Sequence, residues 1–377
     1  MRRRKPRLFL TKGGRDLYTE QEKLRPFPAG RKEEKAVYEK KIAPLYEEAE
    51  EAGNAYREDY LAGFRALIDA RRKEATRLRH AFGKTIAADR EKAREEYFAL
   101  LGWPLTEKRL PLKGVREIPV FENEEITITR LVLELPEGLP FYGILFRHKG
   151  EGALPLAISK HGGGGTPELC SSFFDSANYN DMTVRLFRRG VNVYAPQTLL
   201  WQTPRFGSDP ERGAIDNSLK QVGSSVAAVE IRAISHALDY LDARDYTDGR
   251  YGIAGLSYGG FYTLYTAAAE PRLKSSLAVA HFSDRFLYNW PDKVWFGSGL
   301  RFLDAEVGAL VCPRYLDIEV GKEDPLFDPE AARKEYEVLK EYYAESPENL
   351  VFRIFEGNHE FCPTDEALDR FIDRLTR

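Results

Sequence analysis

Gly255-Leu256-Ser257-Tyr258-Gly259-Gly260 sets a serine among residues without side chains, in the pattern G-x-S-x-G. An apolar run, residues 251–254, precedes it and a helical run, residues 261–269, follows, so the motif reads as a strand-to-helix turn. On so tight a turn the hydroxyl is pushed out at the carboxyl end of the strand, and the glycines let strand and helix approach closely. The competing reading is an ordinary Gly-rich turn with a capping serine.

A serine hydroxyl is a weak nucleophile and needs a base. The chain has six histidines: His80, His148, His161, His236, His281 and His359. His80 and His236 fall in helical stretches, and His148 ends a strand. His359, in Glu356-Gly357-Asn358-His359-Glu360-Phe361, lies between the final strand and the final helix, where a loop opens on the same sheet edge as Ser257. It is the expected base. An imidazole in that role needs an acceptor on its other nitrogen. Asp317, Glu319, Glu323 and Asp324 are near enough in sequence. Asp324 is preferred because it sits in the turn Gly321-Lys322-Glu323-Asp324-Pro325 after a strand, with Glu323 and Glu319 as fallbacks.

His161-Gly162-Gly163-Gly164-Gly165 follows another apolar strand. Glycines leave backbone N–H groups bare, and donors fixed around a developing oxyanion lower the barrier to acyl transfer by several kcal/mol. Gly163 and Gly164 are expected to supply such donors together with the N–H of Tyr258, the residue after the nucleophile. A phosphate-binding loop would need a following G-K-[ST] or a supported G-x-G-x-x-G, and neither is present. His161 is read as shaping this loop. Two aromatic segments are expected at the same edge: residues 196–207, with Trp201 and Gln202, and residues 282–303, with Arg285 and Trp290. With His281, these are the candidate substrate-binding residues. The aromatics could equally be the local core of long loops.

Strands alternate with helices from about residue 113 onward, which implies a mostly parallel twisted sheet with helices on both faces. The expected strands are residues 126–135 and 141–146, paired as a hairpin, then 154–159, 191–194, 251–256, 273–282, 315–320 and 350–355. Expected helices are residues 226–241, 258–269, 331–343 and 365–375. Residues 31–101 differ in character. They are rich in Glu, Lys, Arg and Ala, with Tyr46, Tyr56, Tyr60, Phe64 and Leu67 on one helical face and Arg57, Glu58, Arg65 and Arg72 on the other. The division is therefore 1–112, a helical extension serving as cap, packing arm or dimer contact, and 113–377, the catalytic domain.

The chain has 377 residues, a formal charge of −3, 43% hydrophobic and 31% charged residues. Nothing in that balance points to nucleic acid. The basic start, MRRRKPRLFL, contains an apolar run of only about four residues, against ~7–15 for a signal peptide. No stretch approaches the roughly 20 apolar residues of a membrane span. Cys170, Cys312 and Cys362 are far apart and have neither zinc nor redox spacing. They read as reduced thiols of a cytoplasmic protein.

The order Ser257, Asp324, His359, the strand–elbow–helix setting and the HGGGG loop resemble the α/β-hydrolase superfamily over about residues 115–377. The hairpin before the glycine loop, the GLSYGG elbow and the G-K-E-D-P loop are most similar to the dienelactone-hydrolase, acetyl xylan esterase and prolyl-oligopeptidase-type branch. The resemblance implies a triad of Ser257, Asp324 and His359, an oxyanion hole from the Gly163 region and Tyr258, and no metal or organic cofactor. The leading expectation is a carboxylic-ester hydrolase acting on a small-molecule ester of a short acyl group, such as an acetylated sugar. A peptidase, a lactone or C–C hydrolase, and a non-catalytic binding member are the alternatives. The β-propeller usual ahead of the peptidases has no counterpart in the short helical segment here.

Overall fold

The computed structural model describes residues 47–150, 152–174, 178–288 and 290–377. The expected helical stretch from residue 31 to residue 46 lies outside them. The chain divides into two compact units, Met1–Ile68 and Asp69–Arg377. In the first, a 3-10 turn, Glu50–Gly53, leads into a helix that begins at Asn54 and runs to Ala88. Tyr56, Tyr60, Phe64 and Leu67 are exposed on it.

In the second unit, nine strands among the described residues form one sheet: β1 (Gly114–Glu122), β2 (Ile126–Glu134), β3 (Pro140–His148), β4 (Leu154–Lys160), β5 (Asn192–Pro196), β6 (Thr247–Leu256), β7 (Leu273–Val279), β8 (Tyr315–Gly321) and β9 (Leu350–Phe355). Their order is β1-β2-β3-β5-β4-β6-β7-β8-β9. The pairs from β1 to β5 are antiparallel, and every pair from β5 through β4 to β9 is parallel.

Alternate residues of one strand enter different cores. Leu156 and Ile158 of β4 and Ile253 of β6 join one cluster, with helices Val226–Asp242 and Tyr258–Ala269. Ala157 of β4 and Ala254 and Leu256 of β6 join the other, with Met182, Leu186, Leu368 and Phe371. This period of two means that both faces of the sheet are covered, which is why the central strands read as unbroken apolar runs.

The hairpin of β2 and β3 forms in the expected register region. β1 extends it on the outer side, and no strand was expected there. It is an edge strand, largely exposed, with Pro119 at a register shift. Proline cannot donate to the ladder and so is tolerated only at edges and bulges, and an exposed strand has no apolar alternation to betray it. β7 stops at Val279 rather than Phe282, because Ala280 turns to φ 52°.

Helical residues from Asp69 onward also belong to this unit. Arg79 pairs with Glu306 at 2.6 Å and with Glu335. From helix Arg90–Leu101, Arg94 donates to the Ala268 carbonyl at 2.8 Å, and buried Tyr97 donates to that of Tyr265 at 3.0 Å. Both acceptors lie on the helix that leaves Ser257.

Candidate active site

Ser257 links β6 to helix Tyr258–Ala269 with φ 60° and ψ −117°. For a residue with a Cβ this conformation costs on the order of 1–3 kcal/mol and persists only where the surroundings enforce it. They do so here. The Ser257 N–H donates to the Val279 carbonyl and the Phe261 N–H to that of Ser257, both at 2.9 Å. A Cβ on Gly255 would stand 2.5 Å from Gly259, one on Gly260 would stand 2.6 Å from the Val279 carbonyl oxygen, and one on Gly259 would strike the Lys160 carbonyl. The glycines are thus a packing requirement of the turn.

His359 lies in the loop after β9, and its Nδ1 is 2.9 Å from Asp324 Oδ2. A carboxylate can only accept, so Nδ1 carries a proton, and in the neutral ring the lone pair is on Nε2. Asp324 is itself fixed: its Oδ1 accepts from the Leu326 and Phe327 amides at 2.8 and 3.0 Å. The two loops are laced together by Lys322 N–H to Phe355 O at 2.9 Å and Glu323 N–H to Gly357 O at 3.0 Å. A Cβ at Gly321 would collide with the Asn358 carbonyl.

The other acids go elsewhere. Asp317 and Glu319 hold Arg370 at 2.9 and 2.5 Å, and burial pushes the Glu319 carboxyl up to about 8. Glu323 is exposed.

Aromatic contacts connect the histidine loop with the elbow. Phe327 stacks on His359, Trp290 meets Phe327 edge-on, and Trp290 stacks on Tyr258, each with ring centroids 5.8 Å apart. Ser257 is 8% exposed, and among the described residues its hydroxyl has no hydrogen bond.

The glycine loop abuts the turn at Ser257. A Cβ on Gly162 would lie 3.1 Å from that of Ser257, and one on Gly163 would lie 3.4 Å from the Tyr258 ring. Gly164 adopts φ 70° and bridges to Trp201. Tyr258, as the first residue of its helix, has an N–H with no intrahelical acceptor. His161 is fully buried. Its Nε2 accepts from the Thr198 amide at 3.2 Å, so Nδ1 donates to the Gly162 carbonyl at 2.9 Å. Burial holds its pKa well below the usual histidine value. It is a neutral brace for the loop, in the position expected of it.

Beside the glycine loop is a cleft of about 470 Å³, walled by Tyr142, Thr166, Gln197, Trp201, Arg205 and Phe206. Trp201 therefore lines a cavity, and Gln202 is exposed near Gly164. Trp290 stands half-buried against Tyr258. His281 and Arg285 require correction as substrate contacts. His281 is wholly buried, and the Arg285 guanidinium is spent on Asp304 at 2.6 Å and on the His281 carbonyl at 2.8 Å. Among the described residues His281 Nδ1 and Arg285 Nη1 have no hydrogen-bond partner, but both atoms are shut from solvent, with the His281 ring against Phe261 and Phe327.

A network that sequence reasoning missed lies behind the elbow. Arg212 donates to Asp292 at 2.6 Å and to Glu230 at 3.1 Å, and the Tyr258 hydroxyl donates to Asp292 at 3.1 Å. Burial lowers the Lys160 pKa to about 7. These residues come from five separate elements, and no spacing announces them.

A mostly parallel sheet covered on both faces, with a strained serine at the elbow after β6 and an Asp–His pair on the loops after β8 and β9, is the α/β-hydrolase fold. Comparison with known proteins agrees. YtaP, a candidate hydrolase of Bacillus subtilis (strain 168), is 26% identical over 312 residues, covering 76% of this chain and 99% of that protein. The glucuronoyl esterase from Solibacter usitatus has a TM-score of 0.55 at 13% identity, over 78% of this chain and 92% of that one. The acetyl xylan esterase from Paenibacillus sp. R4 has a TM-score of 0.52 at 20% identity, over 70% and 89%. No family model matches the chain. Among the described residues no helix is long and apolar enough to cross a membrane.

Proposed function

We propose that the protein is a serine hydrolase of carboxylic esters that works through an acyl-enzyme. The observation that carries this reading is the Asp324–His359 hydrogen bond of 2.9 Å, on loops tied through Phe327 and Trp290 to the turn that strains Ser257. With Nδ1–H held by Asp324, His359 Nε2 takes the Ser257 proton as Oγ attacks the ester carbonyl. The tetrahedral oxyanion is met by the Tyr258 and Gly163 amides, with Gly164 shaping the loop. His359 returns the proton to the leaving alcohol. It then activates water, which releases the acid from Ser257. Contacts of this kind commonly tighten only when substrate is bound.

The substrate is read as a short acyl ester. An acetylated sugar is the favoured example, because an acetyl xylan esterase is among the proteins of like fold. The three cysteines are buried and unpaired, which suits a reducing compartment such as the cytoplasm.

The purified protein should hydrolyse a short-chain nitrophenyl ester, and Ser257→Ala should reduce kcat by roughly 10⁴- to 10⁶-fold. Undiminished turnover in that variant would remove the assignment.

A further inference from the structure

Lys293 is 3% exposed, and among the described residues its Nζ has no hydrogen-bond partner. It sits 3.8 Å from the centroid of the Tyr258 ring, 4.3 Å from that of Trp290, 5.4 Å from that of Phe261 and 5.9 Å from that of Phe327. Tyr258 adjoins the nucleophile, and Phe327 stacks on His359. The orphaned amine therefore lies under the wall of the proposed catalytic site, where Tyr258 and Trp290 are partly open to solvent.

Its neighbours' charges are already matched. Arg212 is answered by Asp292 and Glu230, Arg285 by Asp304, and the Lys160 ammonium donates to Thr198 at 2.9 Å in the field of Glu230. Asp292, next to Lys293 in the chain, is spent on Arg212 and Tyr258. A buried ammonium without a hydrogen-bonded partner is costly, and a methionine would fill the same space without that cost. Burial, followed by the Arg285 charge, presses the Lys293 pKa well below the ordinary lysine value. Ring faces supply some attraction but no acceptor for its protons.

We propose that Lys293 determines specificity in the hydrolytic site, as the counter-ion for a free carboxylate on the acyl portion of the ester. This rests on the ester-hydrolase reading above and replaces its acetylated-sugar example with another substrate class: half-esters of short dicarboxylic acids and their like. The arriving carboxylate is the anion the cluster lacks, and it lets Lys293 keep its proton.

The test compares nitrophenyl hemisuccinate with its uncharged isostere, nitrophenyl 4-methylpentanoate, above the spontaneous rates, in the full chain and in Lys293→Met. The wild-type protein should favour the hemisuccinate in kcat/KM. Lys293→Met should lower that preference by about tenfold or more, mainly through KM, at an unchanged or raised Tm. A lysine that only rivets the rings would lower Tm and leave the ratio alone, and an unchanged ratio overturns the proposal. Should the variant fail to fold, succinate and succinamide are compared as inhibitors of wild-type hydrolysis of the neutral ester. Competitive inhibition by succinate alone supports the proposal, and equal inhibition or none overturns it. If the wild type cleaves neither ester, the ester-hydrolase reading itself has failed. If it cleaves both without preference, only the role of Lys293 has.

Discussion

The Asp324 carboxylate is divided between two tasks: Oδ2 meets His359 Nδ1 at 2.9 Å, while Oδ1 accepts the Leu326 and Phe327 amides. The second task fixes the direction of the first. The carboxylate is therefore held by its own turn and does not depend on the histidine for its position.

Asp324→Asn should keep that turn while presenting an amide whose N–H can face Nδ1 and favour the wrong tautomer. Turnover of a nitrophenyl ester should fall by about 10³- to 10⁴-fold, with KM little changed. Glu319→Gln should leave kcat within about threefold and act on stability through Arg370, since an acid engaged elsewhere contributes nothing to the imidazole. Steady-state kinetics on the two variants decide between the acids. A collapse of kcat in the Glu319 variant and not in the other would reverse the assignment.

Gly321→Ala should part the acid and histidine loops, because its Cβ has no room beside the Asn358 carbonyl. A loss of about 1–3 kcal/mol in stability is expected, with kcat down about 10- to 100-fold, as a displacement of roughly 1 Å at a catalytic group would give. Gly213→Ala is the control. That glycine lies in helix Arg212–Gln221 with open space around a new Cβ, so the variant should gain about 0.5–1 kcal/mol. Urea denaturation and kcat measured on both variants test the pair.

Lys160 predicts a pH dependence of stability. An ordinary lysine releases its proton near 10.5, and this one does so at about 7 because burial outweighs the pull of Glu230. The depressed folded value means that the unfolded chain binds more protons between these limits. This residue's contribution is complete above 10.5, falls away as the pH drops towards about 7, and is flat below. The stability advantage of Lys160→Met over the wild type should therefore be greatest near neutrality and shrink towards pH 10. The groups facing Lys160 are Glu230, Cys170 and Arg212. Urea denaturation of both proteins across that range is the measurement. A constant difference would mean that the lysine stays charged in the fold.

The sequence by itself determined the features whose causes are local. The elbow at Ser257 was legible because its glycines, the strand before it and the helix after it are contiguous. The central strands were legible because a doubly covered strand must be apolar throughout, and β9 and helix Tyr258–Ala269 fall on the expected residues. β1 was not legible, since an exposed edge carrying Pro119 has no apolar pattern to read.

The tertiary structure alone decided which distant groups meet. Asp317, Glu319, Glu323 and Asp324 are alike as carboxylates on one short stretch. Arg370, arriving on the last helix, takes the first two, while the loop after β9 sets the imidazole against the last. Arg285 reads as a substrate contact and Lys293, eight residues on, carries no signal in the sequence, yet both are buried, one paired with Asp304 and the other without a hydrogen-bond partner among the described residues. Local propensity and periodicity are encoded along a few successive residues. Burial and charge pairing depend on which surfaces the completed sheet brings together, and no spacing in the chain specifies that.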